Sequence, residues 1–485
     1  KTDDQWRNDY RKYWVQNSLG GVFNKLKALG YGPPDDNNAL IAWQQAHFDT
    51  LVAYHNAAEA YANAANPVVS SSKDFFQPGT ARFDSLFNSL VSRKSNAREG
   101  GTSFYDKSAL YHVHGEYHFS PLFLEDLLVG ANYRLYRPVS DGTIFSDTNG
   151  IRITNQEWGA YVGAEKNLGK FKLNGTVRVD KNQNFDLIST PALSIVYNPS
   201  PNNYLRFSFS SAIRNPTLTD QYLNLNVGRA TLIGNLNGFD SLITIESFTD
   251  YRQTLDRTKL RYINLAPIQP EKVKTFEVGY RTTLFNRVYT DMSYYYSIYN
   301  DFIGYNIGLT TPFNDIGLPE FDKLRVYRIA SNATQQVTTQ GASIGLNYFF
   351  RQYYMVSGNY SWNKLITKES DPIIPAFNTP EHKYNLGFSG RDMRLKFLRG
   401  NNTWGFNINY KWVQGFLYEG SPQFTGNIQT YDQVDAQINC IITKIHTTFK
   451  LGASNLLDNQ QFQTYGGPRI GRMAYVSIVY DFVKR

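Results

Sequence analysis

Residues 403–413 read Thr-Trp-Gly-Phe-Asn-Ile-Asn-Tyr-Lys-Trp-Val. Trp404, Phe406, Ile408, Tyr410 and Trp412 take every second position, and Gly405, Asn407, Asn409 and Lys411 fill the places between. Successive side chains of a β-strand point to opposite faces, so this segment has one apolar and one polar face. A strand of a soluble sandwich alternates in the same way, so two further features decide. The apolar face begins and ends in Trp, as lipid-facing strands do at the two membrane interfaces. The segment also has the length, about 9–11 residues, that crosses a bilayer at a tilt, where strands of soluble domains average about 5–6. Its polar face, two Asn and a Lys, suits a wet or plugged lumen and not a dry inter-sheet core.

Working outward, the same period of two recurs from about Ser108 to the end. Phe276, Val278, Tyr280, Thr282 and Leu284 alternate with polar residues and Gly279, as do Ala342, Ile344, Leu346 and Tyr348, and Val434, Ala436, Ile438, Cys440 and Ile442. The last strand carries Ala474, Val476, Ile478, Tyr480 and Phe482 on its apolar side. Roughly fifteen such segments can be counted, within the range of outer-membrane barrels. Their connectors alternate between short (167–170, 198–203, 285–287, 444–446) and long (214–271, 301–338, 455–471), the pattern of periplasmic turns and extracellular loops. The fold class is therefore all-β: a transmembrane antiparallel β-barrel over 108–485 with long extracellular loops. Bacterial single-chain barrels have even strand numbers and plugged receptor barrels about 22, so about seven strands are expected outside this sequence. With a periplasmic C-terminus, an odd count makes the first strand run downward and places residues 1–107 outside the cell.

Composition agrees. Tyr (35), Phe (32) and Trp (7) make up 15% of the 485 residues, a richness natural where rings form girdles at two interfaces. The formal charge is +8, but Lys and Arg are spread along the chain without the clustering of a nucleic-acid footprint. The single cysteine, Cys440, excludes an internal disulfide framework and is expected to face lipid. The start, Lys-Thr-Asp-Asp, is not a signal peptide; an exported barrel requires one, cleaved or upstream. Residues 1–107 read differently from the rest. Behind an N-cap at 36–38, Leu40, Trp43, His47, Leu51, Tyr54, Ala58 and Tyr61 recur at helical spacing until Pro67, and 84–93 suggests a second short helix. This region is expected to be a partly helical extracellular loop that caps the barrel mouth.

Four segments then make the resemblance specific: FSFSSAIRNPTLTDQY (207–222), LAPIQPEKVKTFEVGYR (265–281), FNTPEHKYNLGFSGRD (377–392) and NLLDNQQFQTYGGPRIGR (455–472). In this order they resemble the C-terminal barrel of TonB-dependent outer-membrane receptors, particularly the Bacteroidetes-type branch; residues 1–107 carry little of the likeness. The resemblance implies import: a ligand captured at the surface, a plug in the lumen, and energy delivered by TonB through a plug-borne box. Neither plug nor box is in this sequence, so coupling to TonB would run through a missing N-terminal region. Outer-membrane lipid and a surface lipoprotein are the other partners implied. The alternative is a structural or docking barrel of a surface complex that imports nothing.

No enzyme motif is present: no P-loop, no G-x-S-x-G and no H-E-x-x-H. No cofactor is expected. His112, His114, Glu116 and His118 fall on one face of a strand, with Tyr111, Val113, Tyr117 and Phe119 on the other. Imidazole and carboxylate can hold a transition metal, but the reading favoured is a polar lumen row bonded to neighbouring strands or to the plug. Trp6, Trp14 and Trp43 could stack on a sugar or macrocycle, or pack within their own folded region.

Overall fold

The computed structural model describes residues 6, 9–10, 46–63, 79–148, 150–228, 230–314, 318–320, 323–368, 371–394, 402–420 and 425–482. The chain divides into two compact units, Lys1–Tyr105 and Asp106–Arg485.

The second unit is built on one antiparallel sheet of fifteen strands. In chain order these are β1 (Ala109–Phe119), β2 (Asp126–Arg137), β3 (Asn155–Leu168), β4 (Phe171–Asn182), β5 (Phe185–Ser200), β6 (Asn203–Arg214), β7 (Glu271–Leu284) and β8 (Val288–Asn300). They continue as β9 (Val337–Phe350), β10 (Tyr354–Ile366), β11 (His382–Arg394), β12 (Thr403–Val413), β13 (Tyr431–Ile442), β14 (Thr447–Ser454) and β15 (Met473–Tyr480). Each pairs with its neighbour in sequence, and among the described residues β1 and β15 are not paired with each other. The connection after every odd-numbered strand lies at one end of the sheet and that after every even-numbered strand at the other. At the first end the β5–β6, β7–β8 and β9–β10 links are tight hairpins. In the three-residue link 285–287, Phe285 and Asn286 both have φ of 53°, the paired left-handed conformation of a tight turn, closed by the Arg287 amide donating to the Leu284 carbonyl at 3.0 Å. The connections of 215–270, 301–336 and 455–472 all lie at the opposite end.

Register aligns the alternation across strands. Phe209, Phe276, Tyr296 and Gln340 lie in one row, then Phe207, Val278, Tyr294, Ala342 and Trp362 in the next. Further along the same face, Phe388 opposes Ile408, which opposes Ala436, and Trp404 opposes Cys440, which opposes Phe449. This face carries two belts of rings. Near the tight-turn end Tyr348, Phe350, Tyr354 and Phe388 stack together, and Phe171 stacks on Tyr197. Near the long-loop end Tyr384 stacks on Trp412 and Tyr360 on His382. On β10 the two belts are marked by Tyr354 and Trp362, eight residues apart, about 26 Å along a strand. Tilt brings that close to the height of a lipid-facing apolar band. The described helices include none long and apolar enough to cross a membrane.

The dry core of this unit lies elsewhere. Leu242, Ile243, Tyr251, Ile268, Tyr305 and Ile329 are fully buried, and all belong to the two longest connections. These connections build a second, six-stranded sheet in the order Tyr262–Leu265, Phe239–Thr244, Ile303–Thr310, Arg325–Asn332, Thr231–Ile233 and Asn224–Asn226. One pairing, 325–332 with 231–233, is parallel. Sequence reading took 214–271 and 301–338 as long loops; both are long, and both are structured.

In the first unit, helix α1 (Phe48–Asn63) follows the expected periodicity, with Ala58 and Ala62 fully buried and Leu51 and Tyr61 half-buried. Leu40, Trp43 and Pro67 lie outside the described residues. Helix α2 (Ala81–Ser92) begins at an N-cap, where the Thr80 side chain accepts from the Phe83 amide at 3.2 Å.

Candidate functional site

The polar face of β1–β4 carries a set of charged and amide side chains, and registry places them. Row by row, His114 opposes Asn132 and Glu116 opposes Gly130. Asn132 opposes Gly159 and Gly130 opposes Tyr161, and Gly159 in turn opposes Asp180. The glycines create reach. A Cβ on Gly130 would sit 2.3 Å from the Tyr161 ring, so only glycine lets that ring lie flat across β2. The Tyr161 hydroxyl thereby donates to Glu116 Oε2 two strands away, at 2.7 Å, and its oxygen stands 2.8 Å from His114 Nε2. Arg178 crosses β3 over Gly159 in the same way. It grips Asp180 at 2.7 Å and donates to Asn132 Oδ1 at 2.8 Å.

Three residues of the row, His114, Glu116 and His118, therefore sit in a hydrogen-bonded network. His118 bridges Asp126 through Nδ1 (2.9 Å) and Glu116 through Nε2 (3.1 Å), while His112 and His114 have ring centroids 6.4 Å apart. Among the described residues no group of three or more His, Cys, Asp or Glu side chains is arranged to hold a metal ion. Trp6 stacks on Tyr10 at 5.4 Å within the first unit; Trp14 and Trp43 lie outside the described residues. Cys440 is a free thiol on the apolar face, opposite Trp404 and Phe449.

At the long-loop end this polar wall opens into a cleft of about 620 Å³, bounded by Arg134, Glu157 and Arg178 on the strands and by Asn215, Thr217 and Thr219 on the connection after β6. The connection is held down by specific bonds. Asn215 Nδ2 donates to Glu157 Oε1 at 3.0 Å, and Asn182 Nδ2 shares the same acceptor at 3.0 Å. The short helix Leu218–Tyr222 starts in a capping box between Thr217 and Asp220. Its Gln221 accepts from Asn155 (3.3 Å) and Asn184 (2.7 Å), tying the loop to β3 and to the β4–β5 turn. On the far side of that tie a second cavity of about 570 Å³ opens among 146, 151–154, 221–224, 233–234 and 236–239.

The β2–β3 loop that borders this second cavity is folded around Asp147. Its buried carboxylate accepts from the Ser140 hydroxyl (2.6 Å) and from the backbone amides of Asp141 (3.0 Å) and Gly142 (2.8 Å), besides the Ser140 amide. Asp141 (φ 49°) and Gly142 (φ 74°) are both left-handed, which turns their N–H groups to one side as an anion nest. Burial pushes the Asp147 carboxyl up, but the bonds from Ser140, Gly142 and Asp141 together outweigh it and hold the group below its ordinary value.

Sequence reading found the histidine row but not Tyr161, Asp126, Asn132, Arg178, Asp180 or Asn215. For Tyr161 and Arg178 the signal is a glycine on the neighbouring strand that leaves room for a long side chain to cross, which is visible only once register is known.

A family model described as TonB dependent receptor-like, beta-barrel matches residues 1–456. The match begins at the first residue, through the region whose motifs show little resemblance. No curated protein matches the chain in sequence. Solved structures with a similar fold include the siderophore receptor PirA from Acinetobacter baumannii, at 14% identity and a TM-score of 0.52, covering 80% of this chain and 57% of that one. The FrpB iron transporter from Neisseria meningitidis (F5-1 variant, apoprotein) is 13% identical, with a TM-score of 0.53 over 78% and 56% of the two chains. The copper transporter OprC is 12% identical, with a TM-score of 0.53 over 76% and 56%. The chain spans a little over half the length of these proteins, and at such identities the likeness is one of fold.

Proposed function

The chain belongs to the TonB-dependent receptor-like β-barrel family, and on that premise we propose that it forms the ligand-capturing wall of an outer-membrane receptor. That receptor takes up a small polar solute for TonB-coupled import into the periplasm. The observation that carries this is the cleft at the long-loop end of the polar face. Two guanidinium groups, carboxylates, amides and hydroxyls converge there beneath a connection fixed by its own hydrogen bonds. A preformed wall of mixed donors and acceptors favours a ligand rich in hydroxyl, amide or carboxylate groups and costs little ordering on binding. The names of the similar structures, which include siderophore, iron and copper uptake, point to a metal chelate as the first class to test.

In this reading the long connections lie outside the cell and the C-terminus in the periplasm, as short turns and long loops are distributed in such barrels. Residues 1–107 are then extracellular, since β1 starts at the long-loop end. TonB is engaged by a plug region not contained in this sequence, a surface lipoprotein is a candidate partner, and the Bacteroidetes-type motifs suggest the lineage.

The test uses the full-length receptor and a panel of a ferric siderophore, cupric ion, an oligosaccharide and an oligopeptide. At least one should bind, with uptake abolished in cells lacking TonB. Glu157→Gln and Arg134→Gln should each weaken that probe about tenfold, the loss expected for one charge-assisted bond. Binding unchanged in both variants would move the site elsewhere. A correctly inserted protein that takes up nothing, yet co-purifies with a surface partner, would favour a docking barrel.

A further inference from the structure

The cleft and the second cavity beside it are separated by a partition of amide side chains. Gln221, only 3% exposed, spans it: Nε2 donates to the Pro216 carbonyl on the cleft side at 2.6 Å, and Oε1 accepts from Asn155 and Asn184. The two donors are not equally served by this arrangement. Asn184 Nδ2 also donates to the Tyr222 hydroxyl at 2.7 Å, so it keeps a partner when Gln221 moves away. Asn155 is 2% exposed and reaches Gln221 only by a long bond of 3.3 Å, and its Oδ1 is enclosed and accepts no hydrogen bond. Native proteins seldom leave a buried acceptor without a donor, because the group has given up water for nothing. The closed partition therefore holds one group that gains as soon as an N–H or O–H reaches it.

The spaces on either side differ in chemistry. The cleft is lined by charges of both signs, and Glu157 there accepts from two amides but has no ion-pair partner among the described residues. In the second cavity Ile151, Ile153, Leu223, Ile233, Leu236 and Phe239 form an apolar wall. Arg152 is the one charged side chain among the described residues that line it, and it is exposed and unpaired among them. Asp147, in the loop that borders this cavity, already accepts four bonds from its own loop. Glu157 and Arg152 are five residues apart, at most about 18 Å along the chain, which is also the reach of about five extended peptide residues.

We propose that the two cavities are subsites of one binding site, joined when the Gln221 side chain swings off Asn155, and that its ligand is an extended peptide of about five residues. The amino end of the peptide lies in the cleft with Glu157, and a backbone N–H at its middle donates to Asn155 Oδ1. Its apolar side chains cover the wall of the second cavity, and its terminal carboxylate pairs with Arg152. An oligosaccharide of the same length offers donors to Asn155 but no apolar groups to the aliphatic wall and no anion to Arg152. The inference rests on the capture role given to the cleft above and names the ligand class for it.

The experiment measures binding to the full-length receptor of a synthetic pentapeptide with free termini and leucine at its last three positions. The same peptide amidated at its carboxyl end and a five-sugar oligosaccharide are measured beside it. Wild type should bind the free acid, and the amidated peptide about tenfold more weakly. Arg152→Gln should weaken the free acid by the same factor, and the two losses should not add. Ile151→Ser, at an exposed position, should cost about fivefold. Asn155→Leu should also lower affinity about fivefold, yet leave the denaturant midpoint unchanged or raised, which an amide of purely structural importance would not do. Equal binding of acid and amide, tighter binding of the oligosaccharide, or no binding of the pentapeptide overturns the proposal. Binding that falls in Glu157→Gln but is indifferent to the changes at 151, 152 and 155 also overturns it, while the capture role of the cleft stands. Indifference to Glu157→Gln as well rejects both.

Discussion

Several long side chains on the polar face depend on a missing Cβ on the neighbouring strand. Besides Tyr161 and Arg178, Arg206 passes over Gly279 to reach Asp291 at 2.8 Å. Tyr295 passes over Gly341 to Asn363 at 3.0 Å, and Tyr475 over Gly452 to Gln437 at 2.8 Å. Each ties a strand to the next but one. Replacing Gly130 by Val should evict the Tyr161 ring and free Glu116, at a cost of about 1–3 kcal/mol for overpacking. Gly115→Val is the matched control, because nothing lies within 4 Å of a Cβ there. It should be neutral or slightly stabilising, since Val suits a strand. Urea midpoints for refolding into micelles would read the difference, and equal midpoints would show that the ring is readily displaced. Residues such as these were not legible in the sequence. Alternation placed Glu116 on its face, but a partner two strands away depends on register, which no local pattern carries.

At the scale of elements, the long strands were legible because lipid imposes one rule on all of them, a clean period of two over a fixed span. The six-stranded sheet in the connections was not. Four of its strands have six residues or fewer, the two of eight residues are buried without a clean alternation, and the pairings that join it cross between connections on either side of the β7–β8 hairpin. The β2–β3 loop adds a device of its own in Asp147. A carboxyl held below its ordinary value in the folded loop contributes stability that is fully present above the unfolded value, about 3.9. That contribution is lost as pH falls through the folded value. Amide exchange over 140–147, corrected for intrinsic rates, should stay slow from pH 7 to about 4 and quicken only below that range. Asp147→Asn should exchange faster at pH 7 and flatten the profile. Protection lost already between pH 7 and 5 would assign the loop's order to some other group.

For the molecule as a whole, the apolar face explains why so many large hydrophobic residues are exposed. Ile408, Leu386 and Val476 are 45%, 55% and 73% exposed, which in water would be a liability and in hydrocarbon is burial. Lysine at Ile408, midway between the ring belts, should destabilise the inserted protein by about 2–4 kcal/mol. Asn409→Lys, one residue away on the polar face, should cost little. Insertion into vesicles and the denaturant midpoint measure both, and equal penalties would contradict the two-faced reading of the sheet that began with residues 403–413.

The interleaving of the two longest connections has a consequence for how such a surface can change. The hairpin of 303–332 is seated between strands supplied by 224–265, so neither connection possesses a complete sheet. A homologous replacement of one alone would leave the other with unmatched backbone edges and an open core. Recombination that keeps this second sheet intact should therefore exchange the two connections only as a block, from residue 215 through 336, with the β7–β8 hairpin carried along inside it. Diversity in that region should be inherited as paired alleles and not as independently assorting loops.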